Sequence, residues 1–231
     1  VREQELAENI ARVRATMARA AERVGRAPEE ITLVAVSKTK PVELVQMAYQ
    51  QGIANFGENR VQEALPKIAA FHPADVSWHM IGHLQTNKSG KVVGNFAIVH
   101  SVDSLHLARA LNRHAEKHAL RLPILLQVNV AGEASKEGMT LEETPVLARQ
   151  IATLPYLEIR GLMTIAPLVD DPEVVRPVFR GLRHLRDQLR EVLPDVTWSE
   201  LSMGMTDDYE VAIEEGATIV RVGRAIFGAR A

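Results

Sequence analysis

Leu6, Ile10, Val13, Met17, Ala21 and Val24 recur every three or four positions, placing one apolar stripe on a charged cylinder. That period predicts an N-terminal helix over residues 1–26, with Gly25 as its C-cap and Pro28 close behind. Its polar face mixes Glu with Arg, which favours packing on the domain over lying on a membrane surface. From residue 31 the pattern changes. Short apolar runs at 31–36 (ITLVAV), 53–56, 77–81, 97–100, 123–130 (PILLQVNV), 157–163, 197–203 and 217–222 (ATIVRV) read as strands buried on both faces. Helical spacing falls between them at 42–51, 60–70, 87–93, 104–119, 141–153, 172–192 and 207–215, and a short helix closes the chain. Ser104 is placed to N-cap one of these helices. Pro66 and Pro177 fall inside two others, and Asp207 and Asp208 suit the first turn of a third.

Eight strands, each followed by a helix, predict an α/β fold: a (β/α)8 TIM barrel with an extra N-terminal helix, forming one domain over 1–231. A doubly wound open sheet would carry a glycine fingerprint after its first strand, and 37–41 contains no Gly. The 231 residues suit one barrel and leave little room for a second catalytic domain. With Lys plus Arg at 27 and Asp plus Glu at 29, no basic field marks nucleic acid as a partner. The absence of Cys excludes disulfides, thiolate metal sites and cysteine nucleophiles, and fits a reducing cytosol. No apolar run approaches the roughly 20 residues of a membrane helix, and the first residues lack a signal peptide's apolar core. A cytoplasmic protein without membrane attachment is expected.

Barrels of this kind place functional groups at the carboxyl ends of their strands. Lys38 follows the first strand directly, where partial desolvation and cationic neighbours favour a neutral amine able to condense with a carbonyl. The loops after strands seven and eight offer Ser202, Gly204, Thr206 and Gly223, the last before a short helix beginning at Arg224. Hydroxyls and closely approaching backbone amides in those two loops suit a phosphate. An aldehyde that also carries a phosphate fits both features, and both pyridoxal 5′-phosphate (PLP) and sugar phosphates meet that description. Arg221 lies in the otherwise apolar last strand. A guanidinium can only donate, so facing a pyridine nitrogen it would hold that nitrogen unprotonated; an ion pair with a strand-end carboxylate is the other reading.

The segments VAVSKTK (34–40), NFGENRVQEALPK (55–67), WHMIGHLQTNK (78–88), QVNVAGEASKEGM (127–139), IRGLMTIAP (159–167) and LSMGMTDDYEVAIEEGATIVRVGRAIFG (201–228) together resemble the pyridoxal phosphate homeostasis proteins, the YggS/PROSC type. The resemblance implies a barrel similar to the N-terminal domain of alanine racemase. It implies PLP held as a lysine aldimine on Lys38, with Asn59 against the ring and Arg221 at the pyridine nitrogen. It further implies a phosphate held by Ser202, Thr206, Gly223 and the amide of Arg224. Thr206 stands where the family often has Ser, and Arg224 where a small hydroxyl residue is common.

An arginine partner weakens the pyridinium electron sink that PLP enzymes use. Racemases with such an arginine need a second acid/base on the opposite ring face, and none of Tyr49, Tyr156 or Tyr209 falls in a strand-end block opposite Lys38. The expected role is intracellular PLP homeostasis and carriage without dedicated turnover, with PLP-dependent apo-enzymes as recipients and the chain a monomer. The alternative is a PLP-dependent amino-acid racemase of fold type III. No catalytic residue and no metal site is assigned. His83, after strand three, reads as a structural histidine, and His114 and His118 read as a solvated helix face. The other histidines, His79 and His100 among them, show no metal-ligand spacing. The stretch 133–137 reads as a mobile loop over the barrel mouth.

Overall fold

The computed structural model describes residues 2–134 and 137–229. Its eight parallel strands are hydrogen-bonded in sequence order into a closed barrel, β8 pairing back onto β1 with Val34 beside Arg221. They are β1 Thr32–Val36, β2 Asn55–Glu58, β3 Ser77–Met80, β4 Ile98–Val102, β5 Leu122–Gln127, β6 Leu157–Met163, β7 Glu200–Ser202 and β8 Ile219–Val222. The helices are α1 Glu3–Arg23, α2 Val42–Gln50, α3 Val61–Ala70, α4 Ser89–Val92, α5 Leu105–Lys117, α6 Thr144–Ala152, α7 Arg176–Val192, α8 Tyr209–Glu214 and α9 Arg224–Phe227. The predicted (β/α)8 barrel with a preceding helix is the observed fold. Among the described residues no helix is long and apolar enough to cross a membrane.

Two apolar layers follow from strand alternation. The lumen holds Val34, Ile98, Leu125, Met163 and Ile219. Outward-facing neighbours such as Ala35, Phe56, Val99, Leu126 and Val220 join the helices in the main core. The stripe on α1 is buried from Leu6 to Ala21 against α2, α8 and α9, whereas Val24 lies past the helix end and is exposed. Gly25, at φ +69°, turns the chain: Arg26 N–H donates to Ala21 O and Gly25 N–H to Glu22 O, the two bonds of a Schellman stop.

Several boundaries differ from expectation for local reasons. The strand predicted over 123–130 stops at Gln127, because Asn129 N–H and Met139 N–H bond within a loop that folds back beside β5. The run 197–203 shortens to β7 because Trp198 is left-handed (φ +48°) and cannot begin an extended segment. Pro177 is not internal: a 3-10 turn at Pro172–Val175 precedes α7, and Pro177 occupies its tolerant first turn. Pro66 does lie inside α3, on an exposed face beside exposed Gln62, whose carbonyl loses its intrahelical donor but meets water. The 133–137 loop expected over the mouth includes 135–136, which lie outside the described residues.

Candidate functional site

The first strand delivers Lys38 through a turn fastened from below. The Ser37 carbonyl accepts from Lys40 N–H at 3.0 Å and from Lys67 Nζ at 2.7 Å, while Ser37 Oγ donates to Glu58 Oε1 at 2.6 Å. Thr39, next along, adopts φ +64°, a left-handed conformation costly for a β-branched residue. Lys38 is itself partly buried. Asn59 follows β2, where its backbone presses on Gly82 at the end of β3: a Cβ at Gly82 would lie 2.3 Å from Asn59 O. Only glycine fits there. Asn59 Oδ1 and Glu58 Oε2 are both buried with no hydrogen-bond partner. A buried polar atom without a partner is costly, so each is a point where a ligand group would be stabilised.

Opposite these, the loop after β7 crosses Gly204 at φ +98°, packed against Tyr209 and Ala212 of α8. Asp208 Oδ1 accepts from Met205 N–H at 2.6 Å and holds this loop in shape, and burial pushes the Asp208 carboxyl up from its usual value. The loop after β8 brings Gly223 over Val36, where a Cβ would stand 3.3 Å from Val36 O. Thr206 Oγ1 lies 3.5 Å from Ala225 N, joining the two loops. At the rim, Arg224 pairs with Asp207.

Arg221 is buried beneath these loops. Nη1 donates to Ser202 Oγ at 2.5 Å and Nη2 to Thr164 O at 2.9 Å. Burial lowers its pKa to about 10, against a smaller opposing effect of Asp208. No carboxylate pairs directly with it among the described residues, so the ion-pair reading of Arg221 gives way to a buried donor.

These elements enclose a cavity of about 530 Å³ at the carboxyl ends of the strands. Lys38, Asn59, Thr206, Arg221, Gly223 and Arg224 all line it. Ser202 does not: it is fully buried one layer down, its hydroxyl shared between His100 and Arg221. The three tyrosines also lie elsewhere. Tyr209 is buried in α8, and Tyr49 OH donates to Asp75. His83 stands exposed on the rim, its Nδ1 3.1 Å from Glu137 Oε2 and 3.9 Å from Asp103 Oδ2, rather than satisfied within the fold. His114 packs on Gly90 of α4, and burial lowers its pKa. Two groups escaped the sequence reading: the buried Glu58–Lys67 pair under the Lys38 turn, and His79 with His100 inside the barrel. For the histidines the only signal was a polar residue within a run otherwise apolar.

The closed eight-stranded parallel barrel, with its cavity at the carboxyl ends of the strands, places the chain in the alanine racemase N-terminal class. The model of the family "Alanine racemase, N-terminal domain" matches residues 1–231. Alanine racemase of Clostridium difficile shares the fold at TM-score 0.78 with 16% identity, over 98% of this chain and 57% of that one. Within that class the chain belongs to the pyridoxal phosphate homeostasis protein family. It is 44% identical over 223 residues to the Aquifex aeolicus member, covering 96% of this chain and 97% of the relative. It is 44% identical over 232 residues to that of Escherichia coli K12, covering 98% and 97%. PipY of Synechococcus elongatus, in a structure with PLP bound, superposes at TM-score 0.86 with 36% identity, over 96% of this chain and 100% of that one.

Proposed function

We propose that this chain binds PLP covalently through Lys38 and serves PLP homeostasis by holding the cofactor and releasing it to apo-enzymes, without catalytic turnover of its own. The observation that carries the reading is the convergence of Lys38, Asn59, Arg221 and the Thr206 and Gly223 loops on one cavity. The residues fit the group. The Lys38 amine would attack the aldehyde carbon and lose water, the amide of Asn59, whose oxygen lacks a protein partner, would meet a ring substituent, and Arg221 would donate to the ring nitrogen. Thr206 Oγ1, the backbone of Gly223 and the amide of Arg224 would hold the phosphate, as small residues in these loops commonly do. PLP, when bound, supplies an electrophilic carbonyl and an electron sink. A donor-only arginine at the nitrogen weakens that sink, and no tyrosine enters the cavity to act from the other ring face. The working form is a monomer in the cytoplasm.

The test is an absorbance spectrum with PLP before and after borohydride, followed by peptide mapping. Reduction is expected to fix the label on Lys38, and Lys38→Ala to lose the visible band while keeping its far-UV spectrum. A band retained in that variant overturns the attachment. Sustained racemisation of any L-amino acid in a panel would replace carriage by the racemase reading.

A further inference from the structure

Below the mouth, one side of the barrel lumen is polar. Asn55, His79, His100, Ser202 and Arg221 come from five strands, β2, β3, β4, β7 and β8, and meet in one continuous line from the base of the barrel to the cavity. Each contact is within hydrogen-bond distance. Arg221 Nη1 to Ser202 Oγ is 2.5 Å, and Ser202 Oγ to His100 Nδ1 is 2.8 Å. His100 Nε2 to His79 Nδ1 is 2.9 Å, and His79 Nε2 to Asn55 Oδ1 is 3.0 Å.

The chemistry of the ends fixes the direction of every bond. A guanidinium cannot accept, so Ser202 Oγ accepts from Arg221. Asn55 Oδ1 can only accept, so with both rings neutral the donors run down to it and Ser202 gives its own proton to His100 Nδ1. His100 then carries its proton on Nε2 and donates to His79 Nδ1. His79 in turn donates from Nε2 to Asn55. All four donors point from mouth to base, and both imidazoles are neutral. Burial favours the same state, holding His79 down to about 4 and His100 well below the usual imidazole value, the latter helped by His79 and Arg221. Protonating either ring would reverse the bond between His100 and Ser202 and place a second cation near Arg221.

A polar line in a barrel lumen is not needed for packing. The other side of this lumen is filled by Val34, Ile98, Leu125, Met163 and Ile219, and burying polar side chains costs desolvation that apolar ones avoid. The line ends on Arg221, which lines the cavity. With Ser202 on one amino group and Thr164 O on the other, the guanidinium cannot rotate away from the cavity.

We propose that Ser202, His100 and His79 are positioning residues that fix Arg221 as a donor toward the ring nitrogen of the bound pyridine, and that Ser202 serves this line rather than the phosphate. The proposal rests on the PLP reading above. It makes recognition of the ring nitrogen separable from recognition of the phosphate and aldehyde.

The experiment titrates the full chain with PLP and with its 1-deaza analogue, in which CH replaces the ring nitrogen. The wild type is expected to prefer PLP by about tenfold, the scale of one hydrogen bond to a charged donor. In Ser202→Ala and His100→Phe the preference is expected to collapse toward unity through weaker PLP binding, with affinity for the analogue changed less than about twofold. Should His100→Phe fail to fold, Ser202→Ala reads the same ratio with one oxygen removed. Equal losses for both ligands in Ser202→Ala would return Ser202 to the phosphate and overturn the proposal, as would an unchanged ratio. A wild type that binds both ligands equally well also overturns it, while leaving PLP binding intact. A wild type that binds neither removes the PLP reading itself.

Discussion

Lys67 Nζ lies 2.8 Å from Glu58 Oε1, an ion pair buried directly beneath the turn that presents Lys38. The same ammonium donates to the Ser37 carbonyl, and the same carboxylate oxygen accepts from the Ser37 hydroxyl. Two charges, from the end of β2 and the second turn of α3, therefore grip one residue of the strand end from both its backbone and its side chain. The amine above them leaves the barrel in a set direction, despite the left-handed Thr39 that follows.

Breaking this pair on one side strands a charge that is almost wholly shielded from water. Lys67→Met is expected to cost about 3–5 kcal/mol in urea unfolding, the range for a buried pair that loses one partner. Adding Glu58→Gln should recover most of that loss, since a neutral amide needs no counter-charge. A single variant as stable as the wild type would show that the pair contributes nothing.

Gly82 is the second point of constraint. A Cβ there would stand 2.3 Å from Asn59 O and 2.6 Å from Asn59 Cα, both rigid backbone. Gly82→Ala must push β2 away from β3 at the cavity wall. It is expected to lower stability by about 2–4 kcal/mol, the range of strained backbone substitutions, and to weaken PLP binding through displaced Asn59. Tm and PLP affinity read the two effects, and an unperturbed Tm would refute the clash.

The barrel was legible because β/α alternation is a pattern of periods, and each strand carries its own. Six of the seven proposed cofactor residues line the cavity for the same reason: the carboxyl end of a strand can be located within a residue or two. Ser202 shows the limit. It lies four residues before Thr206, and which of the two reaches the mouth depends on where β7 begins. The left-handed Trp198 sets that start, and no propensity marks it. His79 and His100 are 21 positions apart on adjacent strands, and their pairing depends on barrel register rather than on spacing along the chain. Glu58 and Lys67 join the end of a strand to a helix, a distance no periodic pattern encodes.

The buried histidines predict an acid dependence of stability. In the unfolded chain each titrates near 6.5. In the barrel burial depresses His79 to about 4 and His100 well below its usual value. The unfolded state therefore binds more protons between these limits, and stability, full above about pH 6.5, falls as pH drops toward 4. Asp103, Glu200 and Asp208, whose carboxyls burial pushes up, act in the opposite sense. The comparison of wild type with His79→Gln isolates the imidazole. Between about pH 7 and 5 the wild type should lose about 2 kcal/mol more than the variant, and parallel curves would show that His79 does not titrate as buried.

Arg224 and Asp207 face each other across the two loops proposed to hold the phosphate, and both line the cavity. The pair is exposed, so its own contribution to stability is small. Its effect on an incoming phosphate is not symmetrical. The guanidinium attracts the dianion, the carboxylate repels it, and each screens the other while they remain paired. Asp207→Asn frees the guanidinium and removes the repulsion, so PLP affinity is expected to rise about two- to fivefold at low salt. Arg224→Thr leaves the carboxylate unopposed and should lower affinity by a similar factor, even though it restores a hydroxyl and keeps the backbone amide. The double variant should fall between the two and close to wild type, because the charges it removes cancel. High salt should shrink all these differences, since exposed charges are screened within about a Debye length. Titrations at two ionic strengths check the set, and an Arg224→Thr variant that binds PLP as tightly as wild type at low salt would remove the side chain from the cradle.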